Sequence, residues 1–175
     1  KNSDQSNEEL SKELNISLKK GWDMNRSRDL IKKETNLENY IHKILYRPFD
    51  IKNIFYHNSL VWSMSQPEMR QMFFPNVSII FTRQVTGLIW NHVQVSNYLV
   101  EIKENSHDRS SQVAPLYIYS DAKTKLSLFD DESIRPNINS EFINKVQGLL
   151  KLNFIPYGRG DIEQSFGPED IIYYT

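Results

Sequence analysis

Tyr46-Arg47-Pro48-Phe49-Asp50 is where this chain changes its period, and that change decides the fold class. Upstream the apolar residues recur at helical spacing. Ser6 followed by Glu9 has the form of a capping box, with Leu10, Leu14 and Leu18 four residues apart behind it. Lys19, Lys20 and Gly21 supply the basic last turn and the glycine that commonly end a helix. A second helix is expected from about Ser27 through Leu30 and Ile31. A third is expected from Asn36, with Leu37, Tyr40, Ile41, Ile44 and Leu45 on one face. Pro48 stops it, because the proline ring pushes the preceding residue toward extended geometry.

Downstream the pattern alternates. Val77, Ile79 and Phe81 point one way and Ser78, Ile80 and Thr82 the other, so Asn76 to Arg83 reads as a strand, and Ile80 on the second face suggests burial on both sides. Val93 to Ile102 and Leu116 to Tyr119 read as further strands, and Ile51–Tyr56 with Leu60–Met64 as a hairpin across His57-Asn58-Ser59. Glu68 to Phe74 is a short helix, and Asn105 to Gln112, rich in serine and charge, an exposed loop. Asn139 or Ser140 caps a helix carrying Phe142, Ile143, Val146, Leu149 and Leu150. Pro156, Gly158, Gly160 and Gly167 enforce a loop, after which Pro168, Glu169 and Asp170 start a last helix. The expected fold is α+β: a helical lead-in, then a mixed or antiparallel sheet with a packing helix near the C-terminus.

With 175 residues, 39% of them hydrophobic and 12% aromatic, the chain can fill one real core and is too short for a multidomain enzyme. It contains no cysteine, which excludes a disulfide scaffold and thiolate metal sites. No apolar run approaches the roughly 20 residues that span a bilayer, so no membrane partner is expected and the cytoplasm is the expected location. Lys1 in place of Met, and the polar opening after it, suggest a segment of something longer. Net charge is −1, whereas dedicated nucleic-acid binders are more often basic. The charge is uneven, however. Between Tyr46 and Val100 the basic residues are Arg47, Lys52, Arg70 and Arg83 against Asp50 and Glu68, while acids gather at Asp130-Asp131-Glu132 and Glu169-Asp170.

Three blocks, Tyr46-Arg47-Pro48-Phe49-Asp50, Thr82-Arg83-Gln84 and Pro115-Leu116-Tyr117-Ile118-Tyr119, resemble in kind and order the C-terminal part of the Type ISP restriction-modification enzymes and their helicase-methyltransferase relatives. Gly167 to Thr175 resembles the start of a helix that runs further in that family. The resemblance covers the chain from about Trp22 onward. It implies a connector over residues 1–45 from an upstream methyltransferase domain of the same polypeptide, and a target recognition domain over 46–175 whose last helix is cut short. The implied role is non-catalytic: recognition of a sequence in double-stranded DNA, so that absent domains can methylate adenine at N6 and, in a restriction enzyme, cleave. No cofactor is implied for this segment. S-adenosylmethionine is implied for the parent enzyme, with ATP and Mg²⁺ as further candidates.

The residues themselves carry no catalytic block. There is no Pro-Pro, so the Asn/Asp-Pro-Pro-Tyr/Phe block of adenine methyltransferases is missing, and there is no Gly-rich phosphate loop ending in Lys-Ser/Thr. Glu101-Ile102-Lys103 has the form of a nuclease Glu-x-Lys with Asp50 as the distant acid, but such a tripeptide arises often by chance and alternation along an exposed strand edge explains it fully. His42, His57, His92 and His107 lack metal-ligand spacing and read as surface or packing residues. Arg159-Gly160-Asp161 reads as a turn.

Arg47, Lys52 and Arg70 are the candidate phosphate contacts. Arg83, Gln84, Asn91 and His92, with Trp90 between, are the candidate base readers, since Arg suits guanine O6/N7 and Gln adenine N6/N7. His107, Arg109 and Gln112 are loop candidates of lower rank. Each has a bland reading. Arg47 and Asp50 can pair with each other or with strand neighbours and pin the chain as it enters the sheet, and Arg83 can simply end a strand. The alternative function is a structural or interaction domain that couples a methyltransferase to a motor or partner and reads no bases.

Overall fold

The computed structural model describes residues 5–15, 22–61, 64, 66–84, 92–106, 108–120, 134–161 and 163–174. Helix α1 (Asn7–Glu13) starts at the expected capping box: Ser6 Oγ accepts from Glu9 N at 3.2 Å and Glu9 Oε2 from Ser6 N at 2.8 Å. It ends at Glu13, and the expected stop at Lys19 to Gly21 lies outside the described residues. Helix α2 (Met24–Lys33) begins three residues before Ser27, because Asp23 caps it by accepting from Arg26 N at 3.1 Å. Trp22 Nε1 and Ser27 Oγ both donate to the Ser59 carbonyl, at 2.7 and 2.8 Å, and tie the helix to the body of the fold.

The expected third helix is not one. A 3₁₀ turn at Leu37–Tyr40 leads into strand β1 (Ile41–Arg47), which pairs antiparallel with β2 (Asp50–Phe55) and parallel with β5 (Leu99–Val100). Ile44 and Leu45 are both buried because β1 is the central strand, covered on both faces. Two adjacent buried residues imitate a helical face, and the β-branched and aromatic residues then settle on the pleat. The strand also runs through the expected division at residue 45. The expected hairpin is corrected likewise: β2 turns back on β1, and Leu60 and Val61 instead donate to the His57 carbonyl in a tight turn, both at 2.9 Å.

A second sheet has the order β4-β3-β6, all antiparallel, from β3 (Ser78–Phe81), β4 (Val93–Ser96) and β6 (Gln112–Pro115). The stretch expected as one strand from Val93 to Ile102 divides at Asn97-Tyr98, so that β4 serves the second sheet and β5 the first. The chain thereby stitches the two sheets together. Ile80, fully buried, packs in one cluster with Ile44, Leu45, Leu99 and Met69 of helix α3 (Gln66–Gln71). Strand β7 (Tyr117–Tyr119) pairs with β8 (Ile134–Pro136), and short parallel strands β9 (Asn153–Phe154) and β10 (Ser165–Phe166) form a fourth pairing. The class is the expected α+β, its strands distributed among the described residues over one mixed, two antiparallel and one short parallel group.

Buried amides join these parts. Asn76 donates to the Gln71 and Tyr117 carbonyls (3.1 and 2.9 Å) and accepts from Val77 N and Tyr117 N (2.9 and 3.1 Å), while Gln71 accepts from Tyr119 N at 2.8 Å. Helix α4 (Ser140–Leu150) is capped by Asn139 as expected, and it packs along β9. None of its residues is buried, and Phe142, Leu149 and Leu150 are exposed. Helix α5 (Pro168–Tyr173) is pinned by Asp170, whose carboxylate accepts from Gly160 N at 2.7 Å, Gly167 N at 2.9 Å and Arg159 Nε at 3.1 Å. The backbone approaches so closely that a Cβ on Gly160 would lie 2.1 Å from the Ser165 carbonyl oxygen. The Arg159-Gly160-Asp161 segment, expected as a turn, is irregular backbone, and the chain folds back just after it, Asp161 accepting from Gln164 N and Ser165 N at 2.8 and 3.0 Å.

Candidate nucleic-acid interface

The hairpin β1–β2 carries the first group of candidates. Leu45 pairs with Ile51 and Arg47 with Asp50, which leaves Tyr46 as the extra residue of a bulge. Bulges re-aim side chains. Here the Tyr46 ring receives the Arg47 guanidinium 4.2 Å from its centroid and the Lys52 ammonium at 4.0 Å. Both cations have carboxylate partners. Arg47 Nη1 reaches Glu101 Oε2 at 2.6 Å, and Lys52 Nζ reaches Asp50 Oδ2 at 3.2 Å. Arg47 thus takes the strand-neighbour pairing rather than Asp50, because Glu101 directly follows β5 on the other side of β1.

The same geometry disposes of the Glu-x-Lys reading. Glu101 and Lys103 lie in a turn beyond β5, and Glu101 Oε2 also accepts from Lys103 N at 2.7 Å. Asp50 lies on the opposite side of β1 and is paired with Lys52. Among the described residues no group of three His, Asp or Glu side chains is placed to hold a metal ion.

Arg83 and Gln84 follow β3 and are exposed, while His92, just before β4, is half-buried and accepts through its carbonyl from Thr82 N at 3.3 Å. Arg83, Gln84 and His92 therefore stand at one end of the β4-β3-β6 sheet. Trp90, Asn91 and His107 lie outside the described residues. The register of β3 with β6 sets Gln112 across from Phe81, so the approach to β6, including the exposed Arg109, reaches that same end. Asn105 to Gln112 was expected to be an exposed loop, and the structure corrects this at its start. Glu104 and Asn105 are buried, and Ser111 closes the loop by donating from N to the Ile102 carbonyl at 2.8 Å and accepting from Asn105 N at 3.0 Å.

A cleft of about 450 Å³ lies between the two sheets, lined by Glu101 beside β5, by Gln112 and Val113 of β6, and by the apolar Met69 and Val100. Glu68 of α3 also lines it, and Arg70, two residues on, projects from the other side of that helix. β1, which carries Arg47, lines this cleft through Ile44, whereas Arg83 follows β3, which contributes no lining residue.

Sequence reasoning missed two features of this region. Phe49, at the tip of the hairpin, is 98% exposed and has φ +65°. Glu104 is 2% exposed, and neither of its oxygens has a hydrogen-bond partner among the described residues. Burial pushes the Glu104 carboxyl up, Arg47 pulls it down and Glu101 raises it again. The proline-then-aromatic turn was legible for the first, whereas nothing in the local pattern marks the second.

The model of the Type ISP C-terminal specificity domain matches residues 1–175. The chain belongs to that family. No curated protein matches it. Among solved structures the specificity domain is similar to the ATP-dependent Type ISP restriction-modification enzyme LlaBIII bound to DNA, at 20% identity and a TM-score of 0.49, covering 71% of this chain and 8% of that one. It is similar also to the DrdV–DNA complex, at 17% identity and a TM-score of 0.51, covering 81% of this chain and 13% of that one. The specificity domain thus spans a small part of the length of either matched chain. No helix among its described residues is long and apolar enough to cross a membrane.

Proposed function

We propose that this specificity domain reads a sequence in double-stranded DNA on behalf of a methyltransferase domain of the same polypeptide, which modifies adenine at N6. The family membership carries this reading, since a specificity domain exists to choose the target. The similar LlaBIII and DrdV structures are of DNA complexes. The lead-in helices, within residues 1–45, serve as the connector and end before β1. S-adenosylmethionine, ATP and Mg²⁺ are matters for the other parts of that polypeptide, and its location is the cytoplasm.

Within the domain the roles divide by who is already paired. Arg83 and Gln84, exposed at the sheet end beside His92, are the base readers, with Asn91 on the intervening segment. Arg47, Lys52 and Arg70 hold phosphates. Arg47 and Lys52 remain half-exposed while paired, and each keeps spare N–H donors for a phosphate oxygen.

The test is selection of bound duplexes from a sequence-randomised pool, followed by affinity measurements over a range of salt. Arg83→Ala and Gln84→Ala should each change the selected motif and cost about 1–3 kcal/mol of discrimination at one position. Arg47→Ala, Lys52→Ala and Arg70→Ala should weaken every sequence alike and flatten the salt slope by about one each. An unchanged motif and unchanged affinity in the Arg83 and Gln84 variants would refute the assignment. The coupling role has one observation in its favour, the open apolar stripe of α4, and it predicts sequence-blind binding with no salt dependence.

A further inference from the structure

The tip of the β1–β2 hairpin is built against the ordinary preferences of its residues. Pro48 and Phe49 are the two central residues of the turn between Arg47 and Asp50. Proline at the first central position and positive φ at the second is the pattern of a type II turn, where the second position normally holds glycine or asparagine. Here it holds phenylalanine at φ +65°, a left-handed conformation that β-carbon sterics disfavour. The ring also gains nothing inside the molecule, being 98% exposed, the largest exposure of any large apolar side chain among the described residues. A strained backbone carrying an unburied aromatic ring on a rigid hairpin points to a contact outside the domain.

Charge identifies the kind of contact. In both ion pairs at the base of the tip the cation is the more exposed partner: 43% for Arg47 against 24% for Glu101, and 53% for Lys52 against 44% for Asp50. Both cations gather at the Tyr46 ring, which holds them on the hairpin close behind Phe49. An aromatic ring in front, with half-exposed cations behind it, matches a polymer that has stacked bases inside and phosphates along its edges. A protein pocket would demand no such arrangement of charge.

We infer that Phe49 is a stacking wedge: on the bound duplex its ring enters between adjacent bases, while Arg47 and Lys52 lie against the flanking phosphates. This rests on the DNA-reading role proposed above, and it assigns to the hairpin the deformation of the duplex rather than the choice of base. Unstacking of that kind is what gives an enzyme access to a base it must draw out of the helix.

Phe49→Ala and Phe49→Trp in the full chain test it, with thermal melts of each as a control for folding. Binding is read by anisotropy on a fluorescein-labelled, sequence-randomised duplex pool, and unstacking by permanganate oxidation of thymines in the duplexes that the unaltered chain selects. Loss of one base–aromatic stack corresponds to roughly ten-fold weaker binding. Phe49→Ala should show that loss, keep the salt slope because no charge is removed, and leave the thymines unreactive. Phe49→Trp should restore both affinity and reactivity.

Unchanged affinity in Phe49→Ala, alongside weakened binding in Arg83→Ala, overturns the wedge and leaves the DNA-reading role standing. A chain that binds no duplex in any form overturns both. If Phe49→Ala leaves DNA binding intact but changes the melting temperature or self-association, the ring is a protein contact and the wedge is wrong.

Discussion

Replacing Glu104 with methionine should stabilise this domain at neutral pH. The carboxylate is 2% exposed, neither oxygen has a partner among the described residues, and its nearest charges oppose each other, Arg47 attracting and Glu101 repelling. A buried polar group without a hydrogen bond costs about 1–3 kcal/mol, and more when charged. Methionine keeps a similar length and volume without the polar atoms. Burial outweighs the Arg47 attraction, which relief of the Glu101 repulsion offsets in part, so Glu104→Met should gain about 1–3 kcal/mol at pH 7.

The sign of the pH dependence follows from the raised carboxyl. The folded state holds its proton to higher pH than the unfolded state does, so the stabilising contribution is complete below the ordinary glutamate range, about 4.3, and is lost as pH rises through the folded value. The advantage of Glu104→Met should therefore shrink on acidification from neutral pH. Burial pushes the His42 imidazole down, which costs stability below the ordinary histidine range, but His42 sits at the other end of β1 and cancels in the difference between variants. Denaturant titrations of both proteins followed by tryptophan fluorescence, from neutral pH to just above the glutamate range, give the difference directly. A destabilised Glu104→Met, or a difference flat with pH, would mean that the carboxylate is satisfied by a bound water or cation, and the reasoning fails.

Phe49→Gly should leave stability unchanged or raise it by up to about 1 kcal/mol, since relief of the left-handed strain outweighs the added freedom of the unfolded chain; a drop in denaturation midpoint would show that the ring packs. Asn76→Ala removes four hydrogen bonds that join α3, β3 and β7, and should cost about 2–4 kcal/mol, visible as a lower urea midpoint. Partial burial pushes the Asp170 carboxyl up, but the bonds from Gly160, Gly167 and Arg159 outweigh this and hold it below the usual aspartate range. Its contribution is therefore present above that range and lost in acid, and Asp170→Asn should cost about 1–3 kcal/mol at pH 7 but little at low pH by thermal melting. Glu101→Gln frees the Arg47 guanidinium, and duplex affinity should rise if Arg47 meets a phosphate; unchanged affinity over a salt series would make Arg47 a purely architectural residue.

Local chemistry made the ends of this fold legible. The Ser6–Glu9 capping box, the Asn139 cap and the Gly167-Pro168 start act within four residues, and the structure places α1, α4 and α5 there. The centre was harder for one reason. Ile41, Ile44 and Leu45 satisfy a helical stripe as well as a strand buried on both faces, and only the parallel pairing of β1 with β5, some fifty-five residues on, decides between them. The division of Val93 to Ile102 had the same cause: alternation continues through Asn97-Tyr98, but the two halves pair with different partners. Helix α4 shows the converse. Its apolar stripe was readable, but a stripe states that a face can be covered and not that anything covers it.

The candidate site divides along the same line. Residue type nominated Arg47, Lys52, Arg70 and Arg83 together, because each is a cation in a stretch poor in acids. Pairing separates them, and pairing is not local: Arg47 is bound by Glu101 across 54 residues, whereas Lys52 is bound by Asp50 across two. Arg83 has no ion pair among the described residues. A cation already held by a carboxylate gives up part of that interaction when it takes a phosphate, so the net gain is small and the pair acts first to fix the hairpin. Arg83, at the end of a sheet with no ion pair among the described residues, carries no such cost there. The block that most clearly carries the family resemblance, Tyr46 to Asp50, is therefore where the fold positions the hairpin tip, and the base-reading burden shifts to the less distinctive Arg83-Gln84 at the end of the second sheet.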